Sequence, residues 1–273
     1  MDGPITTATS RDERERKARV AVLPVGSFEQ HGDFLPLITD TLVAGVIARR
    51  LSTEYGLFLL PPVTLSCSHE HTGFAGTVSI SAKTLIAVVT DVAESLHRAG
   101  IDRLAIVNGH GGNYVLSNIV QQANVGGPRM TLFPGRTEWE TARAAAALQT
   151  TASEDMHAGE LEVSLLLHTY PELVGDDFRH GDWQADERPH LLVTGMRGYT
   201  ESGAIGRPSW QRPRRDDRSS TAWRGPSRII SRCCYDFLHI LKTGPAGGRL
   251  RRPSSRRQRH GGHRGTASPS PQG

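Results

Sequence analysis

The chain has 273 residues, a formal net charge of +4 and 37% hydrophobic residues; this length accommodates one large α/β domain or two small ones, and the apolar fraction is low for a fully packed globule. Both figures are uneven along the chain, since residues 244–273 hold seven arginines and no acid, leaving the remainder mildly acidic, while the apolar runs lie between Val20 and Tyr199. Cys67, Cys233 and Cys234 make neither a disulfide framework nor a C-x-x-C site, no apolar run approaches the roughly 18 residues of a membrane span, and charged Arg11 to Arg19 lacks a signal-peptide core, so a cytoplasmic protein is expected.

The first predicted element is a strand at 19–25, where Val20-Ala21-Val22-Leu23-Pro24-Val25 is an apolar run suited to a buried parallel strand. Glu29 and His31 follow its end, and Asp40 lies nine residues after His31. Two hard carboxylates with an imidazole suit Zn²⁺, Mn²⁺ or Fe²⁺ better than Ca²⁺. The same residues also read as loop side chains, with Asp40 as N-cap of the helix predicted over 41–54. A strand at 57–61 and a loop to residue 81 come next; His69 and His71 in that loop either line a pocket or face solvent.

A helix at 83–99 leads to a strand at 103–108, which ends in Asn108-Gly109-His110-Gly111-Gly112-Asn113. Its glycines allow a tight turn that brings His110 close to a ligand, and their spacing matches neither a dinucleotide nor a P-loop fingerprint. A helix at 113–123, a strand at 129–133 and helices at 137–149 and 159–169 complete the order. Asp155-Met156-His157 leads into the last helix, where Glu160 reads as an ordinary first-turn acid and Glu162 lies beside the apolar stripe. Strands alternating with helices predict an α/β fold with a mostly parallel sheet covered on both faces, and sites in such sheets form at the carboxyl ends of the strands.

Taken together, these motifs resemble those of the creatininase (creatinine amidohydrolase) family: LPVGSFEQHG at 23–32 with LPLITD at 35–40, HTGFAGTVSI at 71–80, NGHGGN at 108–113, HAGELEVS at 157–164 and YTESGAIGRPS at 199–209. The resemblance covers residues 20–209 and implies a three-layer α/β sandwich, a homohexamer and two divalent metal ions, zinc or manganese with iron also accommodated. Carried over by position, Glu29, Asp40 and His110 surround one metal, while His31, Asp40 and a second carboxylate hold the other, which makes Asp40 the bridge. In creatininase that second carboxylate lies two residues after the histidine of the NGH motif; here the position is Gly112, and Glu162 is the candidate in its place. The implied reaction is hydrolysis of an amide C–N bond by a metal-activated water, with His157 and Glu162 as the catalytic pair and His157 passing a proton to the leaving nitrogen.

Family members often carry a second His after EQHG, where this chain has Asp33-Phe34, and Pro where it has Ala75, and no tryptophan lies between Trp139 and Trp183. These departures point away from creatinine toward another small cyclic amide or a formamide as the small-molecule substrate. A peptidase of the mycofactocin-precursor type and an inactive member with a damaged C-terminus are the alternatives.

Past Ser209 the family continues with a helix resembling LATAEKG, whereas this chain reads Trp210-Gln211-Arg212-Pro213-Arg214-Arg215. Back-translation with synonymous codons, moved one base upstream, gives LATAEKGRSLLDSLAGAFADHLALLL and then a stop across Tyr235-Asp236. Residues 210–273 are therefore expected to be an out-of-frame readthrough. Its arginines are then accidental, and the nucleic-acid or membrane partner that their charge alone would argue for is not expected. The expected organisation is a flexible N-terminus at 1–18, a metallohydrolase domain at 19–209 and an atypical tail at 210–273.

Overall fold

The structure, a computed structural model, describes residues 6–211; the proposed out-of-frame tail beyond Gln211 lies outside the described residues. Strands β1 (Val20–Val25), β2 (Phe58–Leu59), β3 (Arg103–Asn108) and β4 (Met130–Phe133) form a sheet in the order β2-β1-β3-β4, with every neighbouring pair parallel. The helices are α1 (Ser10–Arg16), α2 (Thr39–Tyr55), α3 (Ala82–Arg98), α4 (Val115–Ala123), α5 (Arg136–Ala146), α6 (Glu160–Thr169) and the single turn α7 (Leu191–Thr194). β1 and β3 pair in register from Val20 with Arg103 to Val25 with Asn108. The loops that follow these two strands therefore leave the sheet side by side.

Alternation of side chains along the strands sorts the layers. Val22, Ala105 and Val107 face one core with Leu51 of α2, Ala142 of α5 and Leu166 of α6. Ala21, Leu23, Leu104 and Ile106 face the other with Leu85 of α3 and Leu116 of α4. Both faces of the sheet are covered, which is the three-layer α/β arrangement that the alternation of elements predicts.

Three local departures have physical reasons. β2 is shorter than the predicted 57–61 because Pro61 and Pro62 cannot donate to a ladder, although Leu60 N still donates to the Val22 carbonyl at 3.0 Å and Val63 N to that of Pro24 at 2.9 Å. α2 starts at Thr39, and its N-cap position is Ile38, with no side-chain cap. Within the N-terminal stretch expected to be flexible, α1 forms behind a capping box in which Thr9 Oγ1 accepts from Asp12 N, and it buries no residue.

Candidate metal centre

The carboxyl edge of the sheet gathers side chains from the loop after β1 (Glu29, Gln30 and His31), the first turn of α2 (Asp40) and the loop after β3 (His110). A 3-10 turn at His69–His71 and the entry to α6 complete the group. Gly109 lets the end of β3 close onto α2, since a Cβ there would sit 2.2 Å from the Asp40 carbonyl oxygen. Asp40 does not cap α2. It is 1% exposed, with Oδ1 lying 3.1 Å from His31 Nε2 and Oδ2 2.9 Å from His110 Nδ1, and Oδ2 also accepts from Ser27 Oγ at 2.7 Å.

Glu29 is fully buried and sits among three imidazoles, its Oε1 3.1 Å from His110 Nδ1, 3.2 Å from His71 Nε2 and 3.8 Å from His157 Nδ1. These are charge contacts without hydrogen-bond geometry, so both carboxylate oxygens lack a hydrogen-bond partner. A buried carboxylate in that position costs several kcal/mol unless a cation joins it. Ligand atoms fall within 4.8 Å of one another in three sets: Glu29, Asp40 and His110; His31, Asp40 and Glu162; and Glu29, His31 and His157. The largely buried donor set of carboxylate oxygens and imidazole nitrogens fits divalent transition metals.

Backbone carbonyls fix the tautomers of three histidines. His31 Nδ1 lies 3.0 Å from the Glu29 carbonyl, His110 Nε2 2.9 Å from that of Cys67 and His157 Nε2 2.6 Å from that of Gln30. A carbonyl only accepts, so each of these nitrogens carries a proton, and the opposite nitrogen of each ring is the one left to bind a cation in place of a proton. His71 is held the other way. Gln30 Oε1 accepts from Gly32 N at 3.0 Å and Gln30 Nε2 donates to the Gly203 carbonyl at 3.0 Å, which orients the amide and makes Nε2 the donor to His71 Nδ1 at 2.9 Å. His71 then carries its proton on Nε2, the nitrogen 3.2 Å from Glu29 Oε1, and offers no lone pair there to a metal.

Electrostatics separate the groups. Burial opposes charge on His31, but the Asp40 carboxylate outweighs it and raises the pKa to about 9. Burial likewise opposes protonation of His110, and Glu29 and Asp40 overcome it, holding the pKa well above the ordinary value. Asp40 would be pushed up by burial, yet His31 and His110 keep it well below the usual carboxylate range. Burial drives Glu162 up to about 7, while burial reinforced by the neighbouring His31 and His71 holds His157 well below its ordinary value.

The loop that carries His157 and Glu162 is built from behind. Arg143 Nη2 donates to Asp155 Oδ2 at 2.7 Å and to the Thr150 carbonyl at 3.1 Å, and Asp155 accepts from the backbone N–H groups of Glu160 and Leu161 at the start of α6. Ala158 adopts a φ of 54° and donates its N–H to Glu162 Oε2 at 2.7 Å, while His157 exchanges two backbone hydrogen bonds of 2.9 Å with Ile205. The segment 199–209 thus serves to pin His157. Glu160, expected to be an ordinary first-turn acid, is instead fully buried and accepts from Gln149 N, Thr150 N and Thr150 Oγ1.

Glu29, His31, Asp40, His110, His157 and Glu162 all come together here. His69 is exposed, while His71, which the sequence left open, is buried within the cluster. Glu70 was not singled out from the sequence; it stands 3.4 Å from His110 Nε2. A cavity of about 500 Å³ opens beside His110, lined in part by Cys67, Glu70, Gly112, Tyr114, Leu192 and Val193.

A family model described as creatininase, creatinine amidohydrolase, matches residues 5–215. The chain is 35% identical over 201 residues to the mycofactocin precursor peptide peptidase of Mycobacterium ulcerans, an overlap of 69% of this chain and 74% of that one. It is 29% identical over 186 residues to the creatinine amidohydrolase of Pseudomonas putida, covering 60% of this chain and 72% of that one. A solved structure described as creatininase Mn superposes with a TM-score of 0.69 at 21% identity, over 88% of this chain and 97% of that one, a likeness of fold.

Proposed function

The chain belongs to the creatininase family, metal-dependent amidohydrolases that act on carbon–nitrogen bonds, and from this we propose that Glu29, His31, Asp40, His110 and Glu162 hold two divalent metal ions for hydrolysis of a small cyclic amide or formamide. The observation that carries the metal reading is Glu29, whose two oxygens are buried without a hydrogen-bond partner beside His71, His110 and His157. Asp40 would serve both ions, since its two oxygens face different histidines. Zinc and manganese suit this donor set, and iron is compatible with it. Bound there, the ions supply a water of lowered pKa and polarise the amide carbonyl.

The chain's own groups handle the protons. Glu162, whose backbone tie to Ala158 keeps the carboxylate at the cluster, would accept a proton from the attacking water. His157, anchored through Nε2–H on the Gln30 carbonyl and kept neutral by burial, offers Nδ1 to the site, where it would relay the proton that Glu162 took from the water to the leaving nitrogen as the C–N bond breaks. Gln30 and His71 orient Glu29 rather than react.

A peptide amide of the mycofactocin-precursor type is a second reading. The cavity of about 500 Å³, with Leu192 75% and Val193 85% exposed at its wall, is larger than one small ring requires, and the 35% identity to a mycofactocin precursor peptide peptidase exceeds the 29% to a creatinine amidohydrolase. A homo-oligomer, a hexamer by family resemblance, and a cytoplasmic location belong to the same proposal; among the described residues no helix is long and apolar enough to cross a membrane.

Metal analysis of the purified chain, paired with hydrolysis assays on creatinine, a formamide and a peptide amide, tests the proposal. Two metals per chain and turnover of one substrate that is lost on chelation are expected. Less than one tightly bound metal per chain overturns it.

A further inference from the structure

We propose that Glu70 is the positioning residue for His110, an assignment that rests on the metal reading above. His110 is gripped from two sides: Nδ1 faces Glu29 and Asp40 at 3.1 and 2.9 Å, while Nε2, whose proton goes to the Cys67 carbonyl, also has Glu70 Oε1 at 3.4 Å. Glu70 reaches that nitrogen because position 112 has no side chain. A Cβ on Gly112 would stand 1.8 Å from Glu70 Oε1 and 2.4 Å from His110 Nε2.

The turn that carries Glu70 is fixed. Ser68 N donates to Ser79 Oγ at 2.8 Å, and the next residue after Glu70, His71, is held by Gln30 at 2.9 Å. One short turn thus places His71 against Glu29 and Glu70 against His110. The Glu70 side chain is 10% exposed, so its carboxylate is little screened by solvent where it meets the ring. With the tautomer set by the Cys67 carbonyl, a carboxylate beside the outer nitrogen of a ligating histidine adds negative charge there, which steadies the ring and raises the basicity of the inner nitrogen toward a cation. Because Glu70 also lines the cavity beside His110, contact with substrate is the rival role.

The two roles separate on metal affinity. In the full-length chain, Glu70→Gln should weaken binding of Mn²⁺ or Zn²⁺, measured by competition with a chelator, by about 10- to 100-fold. It should also alter the visible absorption of the Co²⁺-substituted protein, a readout that a purely structural role would not move. Gly112→Ala, which drives a methyl group between Glu70 and His110 with both residues retained, should reproduce the loss. An E70Q chain that binds metal as tightly as the unaltered chain with an unchanged Co²⁺ spectrum overturns the proposal alone, and an effect confined to KM assigns Glu70 to substrate. An unaltered chain that binds no metal tightly overturns the metal reading and this assignment with it.

Discussion

Asp40 Oδ1 lies 3.1 Å from His31 Nε2, so two residues nine positions apart meet with the helix start folded back over the strand end. The second oxygen of Asp40 turns to His110 Nδ1 at 2.9 Å. Asp40 therefore joins two of the three ligand sets, and its replacement should empty both. Asp40→Asn is expected to bring metal content close to zero and to lower kcat by at least about a thousandfold, since several kcal/mol of transition-state stabilisation leave with the ions. His31→Asn should remove about half of the metal. Elemental analysis of the two variants checks this: equal losses would show that Asp40 serves one ion only.

The pH dependence of the metal-free chain follows from the same pair. The His31 pKa is about 9 in the fold against 6.5 ordinarily, so its contribution to stability is fully present below pH 6.5 and is lost as the pH rises through 9. His110, also raised, acts in the same sense. Glu162, raised from 4.5 to about 7, adds a loss between pH 4.5 and 7, whereas His71 and His157 are lowered and act oppositely, only below pH 6.5. Between pH 6.5 and 9 the Tm of the metal-free chain should therefore fall. Metal must displace the protons on His31 and His110, so affinity should rise over the same range and the loaded protein should lose this dependence. Calorimetry of the chelated and loaded chain across this range checks both; a flat metal-free profile would count against the His31 assignment.

The layers and most of the proposed ligands were legible in the sequence because their signals are local. Val20–Val25 and Arg103–Asn108 declare themselves as apolar runs of strand length, and α2 and α3 by their apolar periodicity. Asp40 misleads by the same kind of rule: an acid before an apolar run reads as a cap, but α2 begins one residue earlier, at Thr39, and places that acid inside the first turn. Glu160 appears solvated until Gln149 and Thr150 fold over it. The roles of Glu70 and His71 depend on contacts 40 and more residues away in sequence, with His110 and Glu29, which no local periodicity encodes.

Gln30 offers a test of the histidine tautomers. Its amide is locked by Gly32 N and the Gly203 carbonyl, and its Nε2–H obliges His71 to keep the proton on Nε2. Gln30→Ala strips that donor and leaves the Gly203 carbonyl unpaired in the interior, a loss of about 1–3 kcal/mol in stability. His71 should then sample the other tautomer and release Glu29, lowering kcat by about 10- to 100-fold with metal content largely retained. Nitrogen-15 NMR of the histidine rings reads the tautomer directly, and an unchanged His71 signal would remove Gln30 from this role.

The loop that presents His157 and Glu162 hangs on a buried ion pair. Arg143 is 7% exposed and its Nη2 reaches Asp155 Oδ2 at 2.7 Å, while Asp155 in turn holds the first N–H groups of α6, those of Glu160 and Leu161 just before Glu162. Removing one partner leaves the other charge buried and alone, which costs about 3–5 kcal/mol. Arg143→Ala should therefore cost more stability than the loss of any single exposed pair, such as Arg50 with Glu54 at 3.2 Å. Its effect on chemistry should be selective. Glu29 and His110 sit on the loops after β1 and β3 and Asp40 in the first turn of α2, none of them held by Asp155, so one metal should remain while the set containing Glu162 loosens. Denaturant unfolding combined with metal titration of R143A checks this: reduced stability with one tight and one weakened metal is expected, and two unweakened sites would show that the ion pair supports the fold without positioning Glu162.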